Sequence, residues 1–422
     1  MNKIRVDNVV NRLQLKKKSS YLTRFFKSVL IRKIENIDYG QIHVSDGEEE
    51  FKFGNSDSMP IVKIQIKSPE FYVMLGTDGL LGAAEAYANG LWLADDLVML
   101  IRIIIRNNNV MGKLESGLSK LMKPINYFIH WKRKNSIAGS KKNILAHYDL
   151  SNEFYQLWLD ETMTYSCGIF QSQDTSMKDA SIEKLDRICR KLNLTDKDSV
   201  LEIGTGWGSF AMHAAKNYNC HVTTTTISDA QYDYVKEKIE TSDLSEKITL
   251  LKTDYRELTG KYDKIVSIEM IEAVGHEYVP LYFKKVSSLL NDEGLFGIQG
   301  ITYNDQKFDV YKNSVDLIKK YIFPGSCLIS ISQVTDIMKK YTDLSLSHLE
   351  DITMHYATTL EKWRNNFYSE IEDIKKLGFS NEFIKMWEFY FVYCEAGFKE
   401  RHIGDYQFVF SKPAVKNINI QY

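Results

Sequence analysis

The stretch VLEIGTGWGS, residues 200–209, decides the fold. VLEI is the short apolar run of a buried strand, and the run stops at Gly204. Two more glycines follow, Gly206 and Gly208, so the backbone can turn sharply there and approach a ligand closely. The residues that come next, SFAMHAAKNY, have the spacing of a helix. The stretch therefore predicts a strand, a glycine-rich loop and a helix in direct succession.

Strands and helices alternate along most of the sequence that follows. DAQYDYVKEKIE is a second helical stretch. The predicted buried strands are SVLEIG, CHVTTTTI, KITLLKTD, YDKIVSIEMI and GLFGIQGIT. This alternation predicts an open α/β sheet with parallel strands. Ligands of such sheets bind beyond the carboxyl ends of the strands, so the glycine loop lies at the predicted binding edge.

The glycine spacing and a preceding acid indicate which ligand binds. The pattern is G-x-G-x-G, whereas dinucleotide-binding loops have G-x-G-x-x-G. Glu202 stands two residues before Gly204, and its negative charge repels a pyrophosphate but suits a positively charged cofactor. A sulfonium with an ammonium group meets that description. The loop is therefore predicted to bind S-adenosylmethionine.

Polar side chains at the next strand end extend the predicted cofactor site. CHVTTTTIS ends near Thr226 and Ser228, and Gln231 lies just inside the following helix. An acid that would hold ribose hydroxyls is missing directly after this strand. Either Thr226 and its neighbours bind the ribose, or Asp229 reaches in from the turn.

The third strand end carries two further candidates. KITLLKTDYRE ends at Asp254 and Tyr255. A carboxylate can accept a hydrogen bond from an adenine amino group, and a phenol ring can cover the adenine. Both side chains are therefore predicted to contact the cofactor.

Composition and charge narrow the class of protein. The 422 residues have a formal net charge of -1, which does not favour nucleic-acid binding. No segment has the roughly 18–20 apolar residues of a membrane span, and the N-terminus lacks an apolar signal core, so a cytoplasmic location is expected. The five cysteines are scattered and no metal-binding spacing is present, so no metal site is predicted.

Three regions differ in character. Residues 1–109 mix strand-like runs with a helical stretch and are predicted to form a smaller α+β domain that associates with lipid or membrane. Residues 110–142 are a basic connector, and residues 143–422 form the predicted catalytic domain. The connector is either a solvated linker or a surface for anionic lipid headgroups.

An apolar stripe near the N-terminus also has two possible interpretations. In residues 15–34, Leu22, Phe25, Phe26 and Val29 fall at helical spacing among basic residues. Such a helix lies in a membrane interface or packs on its own domain.

Several motifs in order along the chain resemble those of cyclopropane-fatty-acyl-phospholipid synthases and the related mycolic acid cyclopropane synthases. The matching motifs are HYDLSNEFYQLWLDETMTYSCGIF, VLEIGTGWGS, IEMIEAVGHEY, YIFPGSCLISISQV, HYATTLEKW and GDYQFVFSKP. GAAEAYANGLW, residues 82–92, resembles the N-terminal domain of the longer bacterial members. The resemblance implies a Rossmann-like class I methyltransferase domain with a mostly parallel seven-stranded sheet. It also implies a homodimer.

The resemblance implies methyl transfer from S-adenosylmethionine to the cis double bond of a phospholipid acyl chain. The enzyme would work at the inner membrane face as a peripheral protein. Attack by the alkene leaves a carbocation, and a base must remove a proton from the new methyl group before the ring closes. Because an alkene is a poor nucleophile, catalysis depends on positioning and electrostatics.

The family's site residues carry over to particular positions of this sequence. The inferred base is a bound bicarbonate ion, and the residues that would hold it are Cys167, Glu272, Gln299, the backbone of Ile301 and Tyr356. Many members have a histidine where this chain has Gln299. A glutamine still hydrogen-bonds the ion but does not titrate near neutral pH. Tyr165 and Ser166 are implied to touch the cofactor.

Two other functions stay open on the sequence alone. A methyltransferase of this fold can leave a methyl or methylene branch on the acyl chain, or methylate a small-molecule amine. A non-catalytic lipid-binding protein is the alternative from another class, but it would not need the cofactor and base residues together.

Overall fold

The computed structural model describes residues 19–35, 37–107 and 150–420. Within them the chain divides into two compact units. Residues 19–107 with 380–389 form the first, and residues 150–379 with 390–420 form the second. The basic connector at 110–142 lies outside the described residues, so its predicted role stays a prediction.

The first unit contains a mixed four-stranded sheet with helices. The strands are β1 (Gln41–Asp46), β2 (Glu49–Phe53), β3 (Ile61–Ile66) and β4 (Trp92–Ala94), in the order β2-β1-β3-β4. β1 and β3 run parallel, and the two outer pairs run antiparallel. The helices are α1 (Ser19–Ile34), α2 (Glu70–Ala88) and α3 (Leu97–Arg106). This is the small α+β arrangement that the sequence predicts.

The second unit is built on a seven-stranded sheet. Its strands are β5 (Ser199–Ile203), β6 (His221–Thr225), β7 (Ile248–Leu251), β8 (Tyr262–Ile268), β9 (Leu290–Tyr303), β10 (Ser345–Asp351) and β11 (Ile403–Ser411). The order is β10-β11-β9-β8-β5-β6-β7. The five strands β5 to β9 pair in parallel, and β11 pairs antiparallel with both β9 and β10. The predicted mostly parallel seven-stranded sheet is confirmed.

Helices connect these strands. In chain order they are α4 (Asn152–Gln156), α5 (Met177–Lys191), α6 (Ser209–Tyr218), α7 (Asp229–Glu240), α8 (Val279–Leu289), α9 (Phe308–Tyr311), α10 (Ile331–Tyr341), α11 (Thr353–Ser369), α12 (Ile371–Lys376) and α13 (Asn381–Lys399). Short 3-10 turns at Tyr255–Glu257 and Ile271–Ala273 follow β7 and β8. α6 and α7 coincide with the two helical stretches quoted from the sequence.

The strand order places the predicted ligand-binding crevice at the carboxyl end of β5. Strand order reverses on either side of β5, and at such a switch point the loops diverge and leave a crevice. The loops after β5, β6, β7 and β8 therefore open at one edge of the sheet. Apolar side chains on both faces hold the sheet, with Phe283, Phe296 and Phe410 packed together in the core.

The apolar stripe predicted in the N-terminal helix is partly buried and partly exposed. Phe26 is only 5% exposed, whereas Leu22 and Phe25 are 50% and 57% exposed. Tyr21 is 85% exposed beside them. Among the described residues, no helix is long and apolar enough to cross a membrane.

A buried lysine joins three elements at the antiparallel side of the sheet. Lys191, at the end of α5, is 1% exposed. Its ammonium group donates to the carboxylate of Glu350 on β10 and, at 2.7 Å, to the amide oxygen of Gln407 on β11. Arg187 reaches the same carboxylate at 2.7 Å. A charge this deeply buried requires such partners, because removing it from water is costly.

Replacing Glu350 with alanine should therefore destabilise the second unit by about 3 kcal/mol, because Lys191 would be left as a buried charge without its counter-ion. Chemical denaturation followed by circular dichroism measures the change. Glu372→Ala is the matched control, since the pair of Glu372 with Lys375 (2.7 Å) is solvent-exposed and contributes little. Equal stability losses in the two variants would contradict the assignment.

Candidate active site

The glycine loop turns at the end of β5 and forms the floor of a cavity. Gly204 and Gly206 have φ angles of +100° and +52°, which side-chain-bearing residues rarely adopt. A Cβ added at Gly204 would lie 2.9 Å from Met270, so the loop has room for glycine only. At Gly206 no atom lies within 4 Å of such a Cβ. The loop backbone is thus open to a ligand.

The cavity collects residues from four strand ends. Its volume is about 170 Å³, more than ten times the roughly 10–15 Å³ that one water needs. Nine of the predicted cofactor residues line it: Tyr165, Ser166, Glu202, Gly204, Gly206, Thr226, Gln231, Asp254 and Tyr255. The sequence therefore identified most of one continuous surface.

Two predicted cofactor residues lie at the starts of helices instead of on the cavity wall. Gly208 (φ +87°) and Ser228 do not line the cavity, and each precedes the first residue of a helix. The amide of Gly208 donates to the carbonyl of Thr205 at 2.8 Å, and the hydroxyl of Ser228 accepts from the amide of Gln231 at 3.3 Å. Both residues shape the loops because they cap α6 and α7.

Glu202 is the acid at the end of β5. It is 2% exposed, and its carboxyl accepts a hydrogen bond of 2.6 Å from the hydroxyl of Thr224 on the neighbouring strand. Burial raises the pKa of Glu202 to about 8. A positively charged ligand in the cavity would lower that pKa again, because it stabilises the ionised form.

The two candidates for the ribose at the second strand end lie in different surroundings. Thr226 and Gln231 line the cavity and share a hydrogen bond of 2.9 Å. Asp229 does not line the cavity, and its carboxylate pairs with Lys252 at 2.8 Å.

At the third strand end, an arginine that the sequence did not single out joins the site. Arg256 lines the cavity, and its guanidinium donates to both oxygens of Asp254 at 2.8 and 2.7 Å. The pair holds the Asp254 carboxylate in a fixed orientation beside Tyr255. A carboxylate has about four lone-pair sites, so Asp254 can still accept from a ligand.

Aromatic rings pack around Tyr165, a residue that lines the cavity. The ring of Tyr165 lies 5.3–5.5 Å from those of Tyr155, Trp158 and Trp363. Its hydroxyl is 3.0 Å from the hydroxyl of Tyr390. Ring faces carry negative potential and stabilise a nearby cation.

The carboxylate of Glu269, just after β8, is the centre of the second half of the site. One oxygen accepts from the amide of Cys167 at 2.8 Å and from the side-chain amide of Gln299 at 2.7 Å. The other oxygen accepts from the hydroxyl of Tyr356 at 2.6 Å. Glu269 also lines the cofactor cavity. It thus connects the cofactor residues with three of the residues predicted to hold a bicarbonate ion.

The remaining two predicted ion ligands bind each other. The carboxylate of Glu272 accepts a hydrogen bond of 2.6 Å from the amide of Ile301. Within the described residues, its second oxygen is buried without a hydrogen-bond partner. Burial, with the nearby charge of Glu269, raises the pKa of Glu272 to about 8.

A chain of hydrogen bonds fixes how Gln299 faces Glu269. Lys191 has only donors, so the amide oxygen of Gln407 must face it, at 2.7 Å. The amide nitrogen of Gln407 then donates to the oxygen of Gln299 at 3.0 Å. The nitrogen of Gln299 is left to donate to Glu269 and, at 3.2 Å, to Asp405. The glutamine therefore presents a donor, and it needs no titration to do so.

Cys167 and Tyr356 are buried in forms that keep their protons. Burial raises the pKa of the Cys167 thiol well above its usual range, and the thiol donates to the carbonyl of Gly168 at 3.2 Å. Burial also raises the pKa of Tyr356, which faces Glu269 as a donor. Cys167 therefore contributes its backbone amide to the site rather than a nucleophilic sulfur.

The predicted bicarbonate site does not fit an additional anion in this arrangement. Glu269 takes the donors of Cys167, Gln299 and Tyr356, and Glu272 takes the amide of Ile301. A third buried carboxyl, Asp405, is close enough that the charges of Glu269 and Glu272 add to burial in raising its pKa well above the usual range. Another negative charge would be strongly disfavoured.

Three residues of this centre were not identified from the sequence. Glu269 lies inside the quoted motif IEMIEAVG, three residues before Glu272, and an acid directly after a parallel strand was the available signal. Asp405 is likewise inside GDYQFVFSKP. Lys184 gives no such signal, because it is one of several lysines on a helix. It is fully buried, lines the cavity and donates to the hydroxyl of Ser166 at 2.6 Å.

Comparison with known proteins agrees with this geometry. Residues 135–408 match the family Mycolic acid cyclopropane synthetase. The chain is 33% identical over 351 residues to the tuberculostearic acid methyltransferase of Mycobacterium tuberculosis, covering 79% of each chain. It is 33% identical over 368 residues to the cyclopropane-fatty-acyl-phospholipid synthase of Escherichia coli, covering 85% of this chain and 90% of that one.

A solved structure from the same group of enzymes has a similar fold. A crystal structure of the mycolic acid cyclopropane synthase CmaA1 complexed with SAH and CTAB superposes with a TM-score of 0.61 at 29% identity, covering 64% of this chain and 98% of that chain. The residues around the cavity, with a buried acid for a cationic cofactor, fit S-adenosylmethionine. The chain belongs to the mycolic acid cyclopropane synthetase family and is an S-adenosylmethionine-dependent C-methyltransferase.

Proposed function

We propose that this enzyme adds the methyl carbon of S-adenosylmethionine to the cis double bond of a phospholipid acyl chain and closes a cyclopropane ring. One observation carries the proposal. The cofactor cavity shares Glu269 with a buried group of carboxyls and a phenol, so a possible proton acceptor lines the cavity that would hold the methyl donor. Methylation of an amine does not require a buried base cluster of this kind, whereas a carbocation must lose a proton.

The residues of the chain act mainly by holding charge. When bound, S-adenosylmethionine supplies an electrophilic methyl group. Glu202 would hold the positive end of the cofactor, and the turns at Gly204 and Gly206 would let the backbone approach it. The ring of Tyr165, which lines the cavity, could stabilise the cation that forms on the acyl chain. The bicarbonate base implied by the resemblance stays a prediction that these contacts do not support.

The enzyme must meet its substrate at a membrane, and the first unit has a suitable surface. Tyr21, Leu22 and Phe25 expose large apolar side chains on α1, a helix that also carries basic residues. An interfacial helix of this kind binds by burying apolar area and by attraction to anionic lipid. We therefore place the enzyme at the cytoplasmic face of the membrane as a peripheral protein. The predicted homodimer stays a prediction.

A second product class is favoured by one relative. The tuberculostearic acid methyltransferase covers 79% of this chain, and its name indicates methylation of a fatty acyl chain. A methyl or methylene branch shares methyl transfer and the carbocation with ring formation. The outcomes differ in which proton is lost, so the product separates them.

Incubation with labelled S-adenosylmethionine and vesicles of monounsaturated phosphatidylethanolamine and phosphatidylglycerol should label the acyl chains. The expected product is heavier by one CH₂ and has no double bond, because ring closure consumes it. Mass spectrometry with ozonolysis measures both properties. Label in small amines but not in acyl chains would contradict the proposal, and a product that retains an alkene would favour the branched outcome.

Tyr356→Phe should lower lipid methylation by roughly 10²-fold while leaving cofactor affinity within about threefold. The reason is that Glu269 loses one of its three donors, whereas the glycine loop is untouched. Turnover and calorimetric titration of S-adenosylmethionine measure the two effects. Tyr341→Phe, at an exposed tyrosine, is the matched control. Unchanged lipid turnover in Tyr356→Phe would contradict the assigned site.

The affinity for S-adenosylmethionine should increase from pH 6 to pH 7.5. With a pKa of about 8, the Glu202 carboxyl is largely protonated at pH 6, and binding a cationic cofactor to the ionised form then releases a proton. This cost falls as the pH rises, so Kd should tighten by up to about tenfold per pH unit. Calorimetry measures the trend.

Glu202→Gln is the control for this pH dependence. The variant should bind more weakly at pH 7.5 and should lose most of the pH dependence, because the amide does not ionise. A variant that keeps the slope of the unmodified enzyme would assign the titration to another group.

A further inference from the structure

We propose that the carboxylate of Glu269 is the base that accepts the proton lost after methyl transfer, in the place where a bound anion would otherwise act. The proposal rests on the proposed function, because it concerns the step that follows formation of the carbocation. It adds a catalytic residue and removes the requirement for an exogenous base.

The location of Glu269 supports this role. The residue follows the last residue of β8, at the edge of the sheet where the loops after β5 and β6 also open. It lines the same cavity as Glu202 and Gly204, so its carboxylate borders the space where the methyl group is delivered. Glu272, by contrast, does not line that cavity.

Three of the groups that contact Glu269 act as donors. The amide of Cys167 can only donate, and Gln299 presents its nitrogen because Lys191 and Gln407 fix its orientation. Tyr356 keeps its proton and donates through its hydroxyl. Three donors favour the ionised carboxylate. They take three of its roughly four lone-pair sites, and the carboxyl of Asp405 also hydrogen-bonds Glu269, so a proton that Glu269 accepts is shared within this pair of carboxyls.

The surroundings also make the carboxylate more basic than one in water. Burial raises the pKa of Glu269, so the group binds a proton more readily than an exposed glutamate. Burial and the charges of Glu269 and Glu272 also raise the pKa of Asp405 well above its usual range.

The proposed step is balanced. The C–H bond of the newly added methyl group breaks, and its electron pair forms the last carbon–carbon bond of the ring with the cationic carbon. The proton passes to a carboxylate oxygen of Glu269. Loss of that proton to water after product release restores the carboxylate. If a neighbouring carbon loses the proton instead, the same base leaves an alkene.

The backbone at Glu269 offers an unusual test. Its φ angle is +48°, a left-handed conformation that glycine adopts freely and that costs other residues about 1 kcal/mol or more. Glu269→Gly therefore removes the carboxylate without opposing the backbone. The space it leaves is still bordered by the donors of Cys167, Gln299 and Tyr356.

The experiment compares three variants of the full chain in buffer depleted of carbon dioxide. Unmodified enzyme should keep at least half of its lipid turnover when bicarbonate is removed. Glu269→Gln should lose roughly 10²-fold or more in turnover with cofactor affinity within threefold. Glu269→Gly should be similarly slow, and added bicarbonate should restore at least tenfold with saturation. Glu293→Gln, an exposed position on β9, is the matched control.

Each of the following results would overturn either the base role of Glu269 or the proposed function. Lipid turnover of Glu269→Gln within threefold of the unmodified enzyme would overturn the base role, and so would a requirement of the unmodified enzyme for bicarbonate. Loss of cofactor binding in both variants would also overturn it, because Glu269 would then serve the cofactor site. If the unmodified enzyme binds S-adenosylmethionine but never modifies lipid, the proposed function itself fails.

Discussion

The hydrogen bonds to the Glu269 carboxylate are the interaction on which the candidate site depends. They join a loop after β8, the segment around Cys167, strand β9 through Gln299 and helix α11 through Tyr356. These elements are far apart in sequence, so one carboxylate sets their mutual positions. The buried ammonium of Lys191 extends the same network to β10 and β11. Catalytic geometry and the antiparallel half of the sheet are thus held by one polar network.

The environment gives similar carboxyls different tasks. Glu202, with a single hydroxyl donor, is held near the neutral form and is suited to a cationic ligand. Glu269 receives three donors and faces the same cavity. Glu272 accepts from a backbone amide on β9 and does not line the cavity. The number and kind of donors, more than the residue type, decides what each group can do.

Local patterns predicted much of the fold. The apolar runs of β5 to β9 and the helices α6 and α7 follow from periodicity and from the glycine loop, and nine cofactor candidates line one cavity. Gly208 and Ser228 lie at helix starts, where a residue can cap the helix or face the ligand, and the sequence does not distinguish these two roles. Glu269, Asp405 and Lys184 depend on long-range pairing and burial, which no local pattern contains.

The left-handed backbone at Glu269 has an evolutionary consequence. Glycine and glutamate codons can differ by a single base, and both residues can occupy this position, glycine without strain and glutamate with some. A lineage could therefore exchange a diffusible base for a tethered one in a single mutational step, with no rebuilding of the surrounding donors. Membrane lipid remodelling in such an organism would then no longer depend on the supply of dissolved inorganic carbon.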